Sequence, residues 1–337
     1  MNRKLQGLLL PGVLLLIALI ACMSSSITPG SNSSATGVPP ASGPVFTSTP
    51  KRNMPGELPA DQSGHVGDQD SSTTAKEKRA PGGDRFTFGR FERPFNANTM
   101  DVYYPYEDIQ DTFIYQDNAW LYSVIKLKGG DASQKLPARY GVEIDSDLDG
   151  RGDWLITADA PSSSGWSTEG VRVFFDANND VGGKITVNAD DQSAGDGYET
   201  TLFDQGQGND PDLAWARVSP QDPNTVEIAV KRSLLGGDDS FMAGMWAGNA
   251  NSVNPARFDL NDHMTHAQAG TSLVELKNFY PIKDLAELDN SCRMPVGFQP
   301  TGNEPGSCPV APPGPCPPQY LVCVNLGAQQ ICYCTQP

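Results

Sequence analysis

The stretch Ala119-Trp-Leu-Tyr-Ser-Val-Ile-Lys-Leu-Lys128 decides the fold class. Trp120, Tyr122 and Val124 fall on one face of an extended strand and Leu121, Ile125 and Leu127 on the other, so both faces need cover. Outward from it, strand candidates recur at 139–145, 153–159, 170–176, 183–188, 212–218, 224–230 and 241–249, and Phe86–Phe91 begins another alternation. Turn chemistry separates them: Lys-Gly-Gly-Asp, Asp-Gly-Arg-Gly, Asn-Asn-Asp and Asp-Pro-Asn. Helix-length periods are scarce, with short candidates only at 232–235 and 282–288. About nine strands with few helices predict an all-β domain over 84–290, an antiparallel two-sheet β-sandwich (jelly-roll-like) with short helices.

The chain of 337 residues holds more than this domain. Asn2-Arg3-Lys4 is a short basic start, and Leu8 to Ala21 is an apolar run too short for an ordinary membrane-spanning helix. The run ends in Leu19-Ile20-Ala21-Cys22, which resembles the lipobox of bacterial lipoproteins. That resemblance implies a signal peptide over 1–21, cleavage before Cys22 and diacylglycerol on its thiol. The expected location is a cell membrane, lipid-anchored, with the polypeptide on the extracellular or periplasmic side. Residues 22–83, rich in Ser, Thr, Pro and Gly, show no period of two or 3.6 and are expected to be a disordered tether.

Net charge is −16, and residues 84–290 carry 34 Asp and Glu against 16 Lys and Arg. Nucleic acid is therefore an unsuitable partner, because phosphate contacts need Lys and Arg. An acidic surface suits a protein that meets cations or stays soluble outside the cell.

Asp117-Asn-Ala-Trp-Leu-Tyr-Ser-Val-Ile-Lys-Leu, Tyr140-Gly-Val-Glu-Ile-Asp-Ser-Asp and Val226-Glu-Ile-Ala-Val-Lys-Arg-Ser-Leu-Leu-Gly form an ordered series. Across roughly residues 100–260 it resembles the carbohydrate-binding-module family 9 and DOMON-like sandwiches, which implies an extracellular sandwich that binds sugars or, in some branches, haem. The Phe258-Asp-Leu-Asn-Asp-His263 segment is similar to one in secreted bacterial proteins that carry no established activity.

Asp145-Ser-Asp-Leu-Asp-Gly-Arg-Gly-Asp153 places carboxylates at positions 1, 3, 5 and 9 of a loop, with Gly150 at 6 and the Arg151 carbonyl at 7. Those are ligand positions of an EF-hand calcium loop, in which the glycine permits a sharp turn. Position 12 is Ile156 in place of a bidentate Glu, and the flanks are strand-like. The reading is an Asp-rich calcium loop in a β-hairpin, with affinity on the order of 10⁻⁴–10⁻³ M; a solvated turn is the alternative. Asp176, Asn178 and Asp180 repeat the 1-3-5 spacing, but nothing acidic follows at position 9, which favours a turn there. Asp108 and Asp111 are further possible donors.

Motifs for catalysis are sparse. His263 and His266 are three apart, with Asp259 and Asp262 the nearest third zinc ligand, yet no Glu lies between them and a surface or N-cap role fits better. Met264 with either His is the only haem-ligand pattern, for no Cys-x-x-Cys-His occurs. A Gly-x-Ser-x-Gly elbow and a phosphate-binding glycine loop are absent from the sequence. Of the tryptophans, Trp120 and Trp246 lie in apolar runs and read as core; Trp166, in Ser-Ser-Ser-Gly-Trp-Ser-Thr, is the best exposed candidate for stacking on a sugar. Beyond Cys22, six cysteines (Cys292, Cys308, Cys316, Cys323, Cys332 and Cys334) predict three disulfides in a stapled tail over 291–337. Within it 320–334 reads as a hairpin that sets Cys323 opposite Cys332 or Cys334. The expectation is a non-catalytic, calcium-stabilised module that binds a glycan or another cell-surface polymer. A polysaccharide hydrolase and a purely structural envelope protein are the alternatives.

Overall fold

A computed structural model describes residues 52–73, 75–77, 93–96, 101–181, 197–257, 287–301, 304, 307–308 and the backbone of 321–326 and 329–334. In chain order the first strands are β1 (Gln62–Gly67), β2 (Ile109–Gln116), β3 (Trp120–Leu127), β4 (Arg139–Asp145), β5 (Trp154–Asp159) and β6 (Val171–Phe175). There follow β7 (Thr200–Asp204), β8 (Gln207–Gly208), β9 (Ala214–Val218), β10 (Thr225–Lys231) and β11 (Phe241–Gly248). The last are β12 (Leu288–Asn290), β13 (Met294–Val296), β14 (Leu321–Leu326) and β15 (Gln329–Cys334). Short 3₁₀ turns, such as Arg232–Leu235, are the only helical elements among the described residues.

The strands form two antiparallel sheets packed face to face, as the alternation predicts. One has the order β1-β2-β3-β10-β9, the other β12-β11-β4-β5-β6-β7-β8 with β13 also on β11. Period-two alternation explains the layers. In β10, Val226, Ile228 and Val230 point into the core; in β3, Leu121 and Ile125 do. They meet Val142, Ile144, Ile156, Val171, Val173 and Phe203 from the second sheet. Each such side chain contributes about 1.5–3 kcal/mol on burial, so this layer outweighs the cost of the few buried ion pairs elsewhere.

The opposite face of β3 is covered too. Trp120 and Tyr122 pack with Trp215 and Ala229, and Leu58, Tyr115 and Trp166 lie against them. The cover includes residues 52–58, and β1 adds to the sheet edge beside β2. The boundary at 84 is thus corrected: the fold begins at least thirty residues earlier, within the expected tether. Its single apolar residues concealed this because β1 is an edge strand, held by backbone hydrogen bonds that any side chain allows. His65, placed in the tether by sequence, stacks on Phe113 at 4.5 Å and lies 3.1 Å from Asp111.

The other boundary moves as well, since β13 pairs with β11 beyond 290. Leu288, read as the end of a short helix, opens β12 instead, because its pairing with Gly248 completes the sheet edge. β14 and β15 form the expected hairpin, with Cys323 opposite Cys332 in register. A disulfide joins Cys292 and Cys308. Cys22, Cys316, the histidine segment 258–266 and the strand candidates 86–91 and 183–188 lie outside the described residues.

Candidate metal centre

β4 and β5 stay paired as far as Ile144 and Trp154, so Asp145–Asp153 is the loop of a hairpin between two central strands. Gly150 sits at φ 94°, a left-handed conformation that glycine takes without strain, and Leu148 at φ 62° shares the bend. The bend turns Asp145 inward: it is 1 % exposed, and its Oδ2 accepts the Gly150 N–H at 3.0 Å. Its Oδ1 is buried with no hydrogen-bond partner. A buried carboxylate oxygen left so costs on the order of 1–3 kcal/mol.

Asp145, Asp147 and Asp149 each place a carboxylate oxygen within 4.8 Å of the others, so that the three could hold a metal ion. Burial pushes the Asp145 carboxyl up to about 7, offset in part by the charge of Arg293. Burial raises Asp147 as well. It acts the same way on Asp149, where hydrogen bonds from Asn179 and the Arg151 N–H outweigh it and hold that carboxyl below its ordinary value.

Asp153, expected as the position-9 ligand, turns its Oδ2 to the Ser146 N–H and hydroxyl, both at 2.7 Å. It braces the loop and stands outside the three-carboxylate cluster. The Arg151 N–H reaches Asp149 Oδ1 at 2.8 Å, closing the turn that carries its carbonyl.

Behind the loop lies a polar knot that the sequence did not disclose. Glu143, 3 % exposed, accepts from Arg293 Nη2 at 2.7 Å, from the Tyr198 hydroxyl at 3.0 Å and from the Trp246 indole at 3.4 Å. Arg293 also donates to the Gly150 carbonyl at 2.9 Å and lies 3.6 Å from Asp145 Oδ2. Its neighbour Cys292 is the disulfide partner of Cys308, which anchors the segment presenting the guanidinium. The one available signal was an acid inside the apolar strand Tyr-Gly-Val-Glu-Ile. At Gly152 a Cβ would lie 1.9 Å from Tyr198 Oη and 2.6 Å from Glu143 Oε1, so only glycine fits.

Asp176, Asn178 and Asp180 follow β6, whose end lies beside the start of β5, and so adjoin the first loop. The Asp176 N–H donates to the Asp153 carbonyl at 3.0 Å and the Gly152 N–H to the Val181 carbonyl at 3.3 Å. Asp108 and Asp111 are not brought to this place. Asp111 is in β2 of the other sheet against His65, and Asp108 is bound by Tyr103 and Gln110.

Trp166 is half-buried on the outer face of the first sheet. Its indole N–H donates to the Gly56 carbonyl at 2.9 Å, and Arg217 lies over its ring at 4.3 Å. Arg217, 4 % exposed, pairs with buried Glu227 at 2.6 Å and with Glu57 at 3.0 Å. Comparison with known proteins found nothing similar: no family model matches the chain, nor does any curated protein or solved structure.

Proposed function

We propose that this chain is an exported, lipid-anchored, non-catalytic surface protein whose β-sandwich is stabilised by calcium. The observation that carries the reading is the Asp145 carboxylate: one oxygen is fixed by the Gly150 N–H, the other is buried without a partner beside Asp147 and Asp149. A hard cation satisfies that oxygen and removes the repulsion among three carboxylates. All donors in the cluster are oxygens, which favours calcium over softer metals. The ion would tie β4 to β5 at the point where Arg293 meets Glu143 of β4 and the Gly150 carbonyl of the loop, a stabilising clasp with no reactant to act on. The anchor rests on Leu19–Cys22, and the function that goes with an anchor and a tether is display.

A binding role on the outer face of the first sheet rests on the sequence reading of Trp166, whose ring and indole N–H are engaged by Arg217 and Gly56 of the same chain. There Trp166 holds an extended segment through the Gly56 carbonyl, and Tyr122 Oη accepts the Gly56 N–H at 3.3 Å. Aromatic faces with polar edges are what a sugar ring or other cell-surface polymer requires. By contrast, a cleft of about 80 Å³ beside Asp159, Ser163 and Glu169 is far below the few hundred Å³ of a small-molecule site. Asp159 itself is engaged by Arg139 and Arg172.

The test is a thermal melt in EGTA against 10 mM calcium. With affinity on the order of 10⁻⁴–10⁻³ M, binding contributes about 1.4–2.7 kcal/mol and raises Tm by several degrees. Equal melts would remove the calcium reading. For the binding face, glycan-array signals that persist unchanged in Trp166→Ala would exclude Trp166 as a contact.

A further inference from the structure

We propose that the loop Asp176–Val181 is a second cation site, side by side with the first; the inference rests on the cation reading of Asp145–Asp153. The two loops have the same internal construction. In the first, the carboxylate at position 1 accepts the N–H of position 6, Gly150, at 3.0 Å, and the residue at position 4, Leu148, has φ 62°. In the second, position 1 is Asp176, whose Oδ2 accepts the N–H of position 6, Val181, at 2.8 Å, and position 4 is Asn179 with φ 58°.

Shared geometry alone would describe a turn. What points to a ligand is the other oxygen. Asp176 is 4 % exposed, and its Oδ1 is buried without a hydrogen-bond partner, as is Oδ1 of Asp145. Oδ2 is held by the Val181 amide, which leaves Oδ1 as the oxygen open to a ligand, and two further oxygen donors stand at positions 3 and 5 of the same loop. Those are Asn178 and Asp180, both oxygen donors at the spacing a hard cation uses.

The placement follows from the sheet. β5 and β6 are antiparallel neighbours with Trp154 opposite Phe175, so the start of one strand and the end of the other lie at the same end of the sheet. The first loop ends where β5 starts and the second begins where β6 ends. The Asn179 amide crosses between them to Asp149 Oδ2 at 3.1 Å, linking position 4 of the second loop to a position-5 carboxylate of the first. A divalent ion in each loop balances a set of acids that one ion leaves in excess: Asp145, Asp147 and Asp149 in the first, Asp176 and Asp180 in the second.

Equilibrium dialysis of the full-length chain with calcium-45, with the wild type beside Asp145→Asn, Asp176→Asn and Asp180→Asn, tests this. The expected result is two ions per wild-type chain and one per chain in Asp145→Asn and in Asp176→Asn. Asp180→Asn, at a half-exposed position that should not disturb folding, keeps two ions but binds one of them about tenfold more weakly. One ion per wild-type chain, lost in Asp145→Asn and retained in Asp176→Asn and Asp180→Asn, would overturn the second site and leave the first intact. No ion in any protein would overturn both. If Asp176→Asn fails to fold, the wild-type stoichiometry and the Asp180→Asn affinity decide.

Discussion

Two of the places where this sandwich buries carboxylates are completed in opposite ways. On the outer face of the first sheet, Glu227 is 1 % exposed and meets Arg217, which also holds Glu57 and covers Trp166. There the chain provides the cation, and acids and base balance within a few ångströms. At the end of the second sheet, Asp145 is equally buried, but Arg293, the guanidinium that faces it, gives its close contacts to Glu143 and the Gly150 carbonyl. Asp145 keeps an unpartnered oxygen, and so does Asp176 in the adjacent loop. Glu227 lies within β10, between β3 and β9, whereas Asp145 ends β4 and Asp176 follows β6. Glu227, with its own arginine, is a finished structural element, whereas the loop acids Asp145 and Asp176 fit the proposed role of ligands for an ion from outside.

The contrast predicts different responses. The largest is expected for Arg217→Ala, which strands Glu227 in the interior and should cost about 3–5 kcal/mol. That loss should be the same in EGTA and in calcium, as paired denaturant titrations would reveal. A calcium-dependent loss would break the comparison. Asp145→Asn should behave inversely: in EGTA it relieves a desolvated charge and gains about 1–3 kcal/mol, while the calcium-induced rise in Tm shrinks. A variant that is destabilised in EGTA and still responds fully to calcium would place the ion elsewhere.

The smallest effect belongs to Glu57. Its hydrogen bond and charge interaction with Arg217 hold its carboxyl below the ordinary 4.5, against a smaller opposing effect of burial. A carboxyl with a lowered folded pKa adds stability that is fully present above 4.5 and is lost as pH falls through the folded value. Glu57→Gln should therefore flatten part of the acid limb of a stability-against-pH curve and leave pH 7–8 nearly unchanged. An identical acid limb would mean that Glu57 takes no part in holding the covering segment.

The legible parts of this chain were those encoded locally. Seven of the strands were visible as apolar alternation, among them β3, β4 and β10, because a side chain's face follows from parity along the chain. The acidic positions 145, 147 and 149 were visible because ligands within one loop must be close in sequence. β1 and β2 were harder to see. β1 has polar, mostly exposed residues, and Ile109-Gln-Asp-Thr-Phe-Ile-Tyr-Gln116 breaks its alternation at a bulge between Ile109 and Asp111. Asp153 was assigned to the ion because its spacing suited, but the hydroxyl and amide of Ser146 close the loop around one of its oxygens.

The sequence by itself determined that the chain is a β-sandwich with an acidic hairpin loop and a cysteine-bearing tail. Strand parity, turn residues and 1-3-5 spacing are properties of neighbours along the backbone. Only the tertiary structure decided which carboxylates are provided for. Arg217 reaches Glu57 across 160 positions, and Arg293 reaches Glu143 across 150. Whether a buried oxygen has a partner depends on such meetings, since the interior charges a high desolvation cost to any group left alone. No local pattern records them, and at Asp145 and Asp176 they leave one oxygen each without a partner from the chain.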